Sequence, residues 1–218
     1  MKYPLFKPFI STEECLQNLR SVFESGYFSE GEWVTSFREQ LVSFIGNDKL
    51  VLTNSCTSAL TLALRIANVN PGDTVLSTPM TCVATNTPIL ASGARVRWVD
   101  IDPDSGCVSV ESVKRAFYDS LLPFKALVCV DWAGNPCELE ELQKMCHDNN
   151  VVLIQDAAHA FGAKYKGVDI SEFAYMTCLS FQAIKHLTTG DGGAVVSGEV
   201  GASARDDDLV GGTNSDID

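Results

Sequence analysis

The chain lacks any long apolar run. None of its hydrophobic stretches reaches the roughly 18 residues that a membrane-spanning helix needs. Its first residues, Met1-Lys2-Tyr3-Pro4-Leu5-Phe6-Lys7-Pro8, lack an apolar signal core and carry two prolines, so a cytoplasmic protein with no membrane contact is expected. There is no Cys-x-x-Cys pair among the 8 cysteines, and none of the 3 histidines stands at zinc-like spacing from one of them. A disulfide scaffold and a structural metal are therefore not expected; most of the cysteines read as small buried hydrophobes. Basic residues are scarce as well: 16 Lys and Arg face 28 Asp and Glu, for a net charge of −12. Nucleic-acid binding normally shows a basic face, so it is not expected here. No Gly-x-Gly-x-x-Gly follows the first strand, which removes the usual signature of a dinucleotide-binding domain.

What is present is an alternation. Ser11-Thr12-Glu13-Glu14 reads as a capping box, with Leu16, Leu19, Val22 and Phe23 following at helical spacing up to Gly26. A second amphipathic stretch runs over 33–45 and stops at Gly46. Short apolar runs at 50–53, 74–77, 96–99, 126–130, 151–154, 177–179 and 194–196 read as buried strands. Helical patterns at 58–67, 110–118 and 138–148 separate several of them. This rhythm predicts an α/β fold with a mainly parallel sheet between helices. Residues 1–197 are read as one large domain, and 198–218 as an acidic Gly/Ser/Asp-rich flexible tail.

Three segments carry chemistry-bearing residues at sheet edges. In Ser180-Phe181-Gln182-Ala183-Ile184-Lys185-His186 and the glycines Gly192-Gly193 beyond it, a lysine lies between two apolar strands. The neutral amine of a partly desolvated lysine attacks aldehydes; a surface lysine in a glycine loop has the same local pattern. In Val151–Phe161, Asp156 follows an apolar strand, with His159 three residues on. A carboxylate at a strand's carboxyl end can hold a pyridine nitrogen protonated, or merely cap the next turn. In Thr53-Asn54-Ser55-Cys56-Thr57-Ser58, a hydroxyl-rich strand-to-helix junction offers an anion site at a helix N-terminus, or simple capping by Ser55 or Thr57.

Taken in order, these segments resemble the DegT/DnrJ/EryC1/StrS family of pyridoxal-5′-phosphate (PLP)-dependent sugar aminotransferases. The resemblance runs from about Pro8 to Ser197. Ser25-Gly26…Gly31…Val34, Ser55-Cys56-Thr57-Ser58-Ala59-Leu60, Pro71-Gly72-Asp73, Val99-Asp100-Ile101-Asp102, Asp156-Ala157-Ala158-His159 and the Lys185 segment match its landmarks. The resemblance implies an aspartate-aminotransferase-like (PLP fold type I) large domain and a homodimer. It implies that Lys185 binds the cofactor covalently and acts as general base and acid. Asp156 would pair with the pyridine nitrogen, His159 would sit near the ring's phenolic oxygen, and Ser180, Thr57 and the backbone at Cys56 would hold the phosphate. The substrates would be a nucleotide-linked keto sugar and an amino-acid donor such as glutamate.

Three departures from the pattern accompany the match. Cys56 replaces the family's glycine, and Met80-Thr81-Cys82 lacks the aromatic that stacks on the cofactor ring. The family's small C-terminal domain is also absent from this sequence. That last departure keeps a second reading, a non-catalytic or partner-dependent PLP-binding relative. A third is a sugar dehydratase of the same family, in which histidine replaces the lysine; His186 next to Lys185 keeps it open.

Overall fold

The computed structural model describes residues 7–198 other than Phe9. Six α-helices and nine strands run in chain order: α1 (Thr12–Ser25), α2 (Glu32–Ile45), β1 (Leu50–Thr53), α3 (Cys56–Ile66), β2 (Thr74–Ser77), α4 (Val83–Ala91), β3 (Arg95–Trp98), α5 (Val110–Asp119), β4 (Ala126–Val130), α6 (Leu139–Asp148), β5 (Val152–Asp156), β6 (Lys164–Tyr165), β7 (Val168–Asp169), β8 (Met176–Ser180) and β9 (Gly193–Ser197). All strands except the short β6–β7 hairpin form one seven-stranded sheet in the order β1-β9-β8-β5-β4-β2-β3. The central pairs β8–β5, β5–β4, β4–β2 and β2–β3 are parallel, and β9 pairs antiparallel with both β8 and β1. The sheet is therefore mixed but mostly parallel, as the βα rhythm predicts.

Both faces of the sheet are covered, which explains why β4, β5 and β8 are buried at every position, with β4 wholly apolar. Alternate residues serve the two sides. Leu127 and Cys129 pack with Leu41 of α2, Val113 of α5 and Leu142 of α6, whereas Ala126 and Val128 pack with Leu60 and Leu64 of α3 and Ile89 of α4. Five of the cysteines, Cys107, Cys129, Cys137, Cys146 and Cys178, are buried, and all eight are free thiols.

Two local expectations are corrected. Ser11 sits at the N-cap of α1, but its side chain makes no capping hydrogen bond. Asp156 is the last residue of β5 rather than the first after it, because its backbone still pairs with Val130 and Cys178 on the neighbouring strands. α1 ends at Gly26 and α2 at Gly46, both in the left-handed conformation that glycine adopts without strain. The apolar stripe of α1 is left largely open among the described residues: Leu16, Leu19 and Phe23 are exposed, and Phe23 meets only the ring of Phe28, 5.9 Å away between centroids, among the aromatic contacts. Among the described residues no helix is long and apolar enough to cross a membrane. The flexible tail expected at 198–218 lies, from Glu199 onward, outside the described residues.

Candidate active site

The parallel strands end at one edge of the sheet, and the loops leaving them converge there. A cavity of about 380 Å³ opens among the ends of β1, β4, β5 and β8. Cys56, Thr57, Asp156, His159, Ser180 and Lys185 all line it. The six residues singled out in the sequence, spread from position 56 to position 185, thus share one space.

The first wall is the turn from β1 into α3. Ser55 caps α3, its hydroxyl accepting the Ser58 N–H at 3.2 Å. Ser58 donates onward to Asn54 Oδ1 at 2.6 Å, and Thr53 donates to the Ser55 carbonyl at 2.9 Å. These bonds hold the turn while the first N–H groups of the 11-residue helix lack intrahelical acceptors, as at any helix start. The positive end of the helix dipole adds to an anion site. Behind the turn lies Gly193, the first residue of β9. A Cβ at 193 would come within 2.6 Å of both the Cys56 nitrogen and the Ser55 carbonyl carbon, so only glycine fits.

Asp156 forms the floor. It is almost wholly buried and takes hydrogen bonds from three directions: Thr85 Oγ1 donates to Oδ2 at 2.6 Å, the Ala158 N–H to Oδ1 at 3.1 Å, and the Cys56 thiol reaches Oδ1 at 3.9 Å. Burial pushes the Asp156 carboxyl up from its ordinary value; the Thr85 and Ala158 hydrogen bonds and the charges of His159 and Lys185 pull the other way. Burial and the neighbouring Asp156 charge push the Cys56 thiol far up, so it stays protonated and acts as a donor to the carboxylate. The side chain that replaces the family's glycine therefore points toward the acid.

Lys185 sits on the loop after β8, half-buried, with its N–H donating to the Gln182 carbonyl at 2.8 Å. Its ammonium makes no ion pair among the described residues. His186, its neighbour, is exposed and lies off the cavity wall, which favours the lysine over the histidine as the cavity amine. His159 packs edge-on against Trp132, ring centroids 5.7 Å apart. Burial, then the Lys185 charge, lowers its pKa below the ordinary value, so it is neutral at pH 7. Ser180 is buried at the end of β8.

The resemblance placed Met80-Thr81-Cys82 beside the ring, but sequence reasoning missed the helix α4 that follows. Thr81, Cys82, Ala84 and Thr85 line the cavity, and none of the residues lining it is Phe, Tyr or Trp. Pro88 inside α4 and a run of threonines hide the helix from its periodicity. The only available signal was position: residues just past a parallel strand in an α/β sheet stand at the ligand edge.

Next to Asp156 lies a second buried acid. Asp131 accepts the Cys137 N–H at 3.0 Å and Gln155 Nε2 at 2.6 Å, and Thr177 donates to Gln155 at 2.9 Å. Burial pushes Asp131 up to about 6. The folded chain thus holds this proton more tightly than the unfolded one. The resulting stabilisation is complete below the ordinary value of 3.8 and is lost as pH rises through about 6. The amide introduced by Asp131→Asn would satisfy the same partners after a flip of the Gln155 amide, and it does not titrate. The stability advantage of Asp131→Asn should therefore grow by about 3 kcal/mol between acid and neutral pH. Urea unfolding of both proteins across that range checks this; parallel profiles would refute it.

A mostly parallel sheet with helices on both faces, and an acid, a lysine and a helix N-terminus around one edge cavity, define the large domain of an aspartate-aminotransferase-like, PLP fold type I protein. The chain belongs to the DegT/DnrJ/EryC1/StrS aminotransferase family, whose model matches residues 10–203. It is 36% identical over 194 residues to an uncharacterized protein, MJ1066, of Methanocaldococcus jannaschii, covering 89% of this chain and 49% of that one. It is also 36% identical over 167 residues to the UDP-4-amino-4,6-dideoxy-N-acetyl-beta-L-altrosamine transaminase of Campylobacter jejuni, covering 77% of this chain and 44% of that one. Among solved structures, the PLP form of the putative sugar aminotransferase Spr1654 from Streptococcus pneumoniae superposes with a TM-score of 0.82 at 27% identity, over 95% of this chain and 56% of that one. Its PMP form matches equally well. Pyridoxal phosphate is the cofactor of the family. The chain spans about half the length of the curated relatives it matches.

Proposed function

We propose that this chain carries the cofactor-binding half of a PLP-dependent aminotransferase that converts a nucleotide-linked keto sugar to an amino sugar, with an amino acid such as glutamate as donor. The observation that carries the reading is the shared cavity: Asp156, Lys185 and the N-terminus of α3 line one space. The residues present suit the cofactor. Hydroxyls and free N–H groups at Ser55, Cys56 and Thr57, with Ser180 beside them, suit a phosphate. The buried carboxylate of Asp156 suits a protonated ring nitrogen, and the neutral His159 can hydrogen-bond a ring oxygen. Bound there, pyridoxal phosphate supplies the electron sink that makes a carbon beside nitrogen acidic.

The chain's own groups do the rest. Asp156 keeps the ring nitrogen protonated by holding a negative charge opposite it. The Lys185 amine would hold the cofactor, and its Nζ would be the group that takes a proton from the substrate carbon bearing the nitrogen and gives it back. Thr81, Cys82 and Ala84 are small, so no Phe, Tyr or Trp would stack on the ring, and the Cys82 sulfur would offer a polarisable contact there. We place the protein in the cytoplasm, as a homodimer, with a large domain over 1–197.

A second reading is a PLP-binding relative without turnover. One experiment separates the two. Purified chain mixed with PLP should develop the red-shifted absorption of protein-bound cofactor, and glutamate should then convert it to the amine form. Binding without that conversion selects the second reading; no binding at all refutes both.

A further inference from the structure

The hydrogen-bond set of Asp156 assigns a job to a residue of the α4 wall. Thr85 is itself almost fully buried, and its hydroxyl donates to Asp156 Oδ2 at 2.6 Å. Its own partner, Thr81, lies 2.6 Å away. An ionised carboxylate only accepts, so the single proton of Thr85 goes to Asp156 and Thr81 must donate to Thr85. The two hydroxyls form a one-way chain ending on the acid. α4 follows β2, and β2 is separated from β5 by β4. Thr85 thus reaches across a strand to a carboxylate that no donor from its own neighbouring strands holds at Oδ2.

We propose that Thr85, oriented by Thr81, is a positioning residue that keeps the Asp156 carboxylate charged and turned so that Oδ2 can receive a protonated pyridine nitrogen. The inference rests on the reading that this cavity takes pyridoxal phosphate. Lone-pair counting supports the choice of oxygen. Each carboxylate oxygen offers about two acceptor directions. Oδ1 already takes the Ala158 N–H and the Cys56 thiol, whereas Oδ2 takes only Thr85. The open direction belongs to Oδ2. With the Ala158 N–H on Oδ1, the short hydroxyl bond on Oδ2 holds the carboxyl group at both oxygens and so fixes its rotation about the last torsion. It also opposes the burial that drives the acid toward its neutral form. A neutral Asp156 could not hold the ring nitrogen protonated.

The other titratable groups facing Asp156 are Asp131 at the end of β4, Cys178 on β8, Cys56 at the start of α3, His159 on the loop after β5, and Lys185 on the loop after β8. Thr85→Val leaves every one of them in place and replaces the hydroxyl with a methyl of the same shape. Thr85→Ser restores the hydroxyl. Two measurements test the inference. In the cofactor-free chain, ¹³C NMR of the Asp156 carboxyl should show its titration midpoint moving up by about one pH unit in Thr85→Val, a tenfold change in proton affinity, and returning in Thr85→Ser. The dissociation constant for pyridoxal phosphate should rise by roughly ten- to a hundredfold in Thr85→Val and recover in Thr85→Ser. Thr81→Val, which spares the direct bond, should give a smaller shift in the same direction and serves if Thr85→Val fails to fold. An unmoved midpoint in Thr85→Val, or a shift that Thr85→Ser does not reverse, overturns the proposal. A wild-type chain that binds no pyridoxal phosphate removes the functional reading instead, and the proposed receipt of the ring nitrogen falls with it, while the carboxyl titration reports separately on the hydroxyl bond.

Discussion

Lys185→Ala should abolish borohydride trapping of pyridoxal phosphate on the chain. Wild-type protein treated with stoichiometric cofactor and then reduced should gain one pyridoxyl group, mapped by peptide mass to the segment containing residue 185. The variant should gain none. The expectation follows from where the amine sits. Other lysines, such as Lys144 and Lys166, are exposed and paired with Asp148 and Glu140, so they meet the aldehyde only by chance from solution. Lys185 lines the same cavity as the turn into α3, proposed to hold the phosphate, and Asp156, which would convert that encounter into an intramolecular one. At stoichiometric cofactor this advantage, worth several orders of magnitude in effective concentration, makes trapping selective. Retention of the adduct in the variant at undiminished yield would sink the assignment, and mapping would then show which amine carries it. Trapping that moved to another residue only at large excess of cofactor would be the background expected of surface amines.

Asp156→Asn should weaken pyridoxal phosphate binding by about two to three orders of magnitude at neutral pH, because it leaves a buried cationic ring without its counter-charge. The same substitution should not destabilise the cofactor-free chain at that pH. The reason is the direction of the carboxyl's shift. Burial raises it, so the fold favours the protonated acid. That preference stabilises the chain fully below the ordinary carboxyl range and is lost as pH rises through the folded value. Above it, the buried charge, only partly offset by its hydrogen bonds, is a burden that asparagine lacks. Thermal unfolding with and without cofactor separates the two effects. Wild type should gain a large cofactor-dependent increase in Tm, and the variant almost none, while the cofactor-free variant melts no lower than wild type. Equal affinity in the two proteins would remove Asp156 from the ring-nitrogen role. A cofactor-free variant that melts well below wild type would make it a structural acid instead.

Much of this arrangement is readable in the chain. The strand β4, with Ala126–Val130 all apolar, announces itself because both its faces are buried, and β1, β2 and β4 occupy the predicted residues. Asp156 is legible as the acid that closes an apolar run, though it lies inside β5, and Lys185 as the amine on the loop between two apolar strands. α4 is not legible, since its helix rests on tertiary packing that overrides threonines and an internal proline. With it goes Thr85, whose role depends on a strand order, β5-β4-β2, that no local pattern encodes. Trp132 escapes for a similar reason. It lies on a short turn with Ala133 in the left-handed region, and its contact with His159 joins segments 27 residues apart. Cys56 stands out in the sequence as a departure, but only the folded chain shows its thiol turned toward Asp156.

The position of β9 sets an order for assembly. β1 has one sheet neighbour, and that neighbour is β9, about 140 residues later in the chain. The turn into α3 leaves the end of β1 and rests on Gly193. As the polypeptide emerges from the ribosome, the parallel centre β2-β4-β5 can pair strand by strand, but the anion-binding corner must wait as an unpaired strand and an unsupported turn until residue 193 arrives. Premature chains released before that point would expose a free β1 edge and have no cofactor grip. Supply of vitamin B6 would then be unable to rescue them, whereas it should stabilise every chain that has passed it.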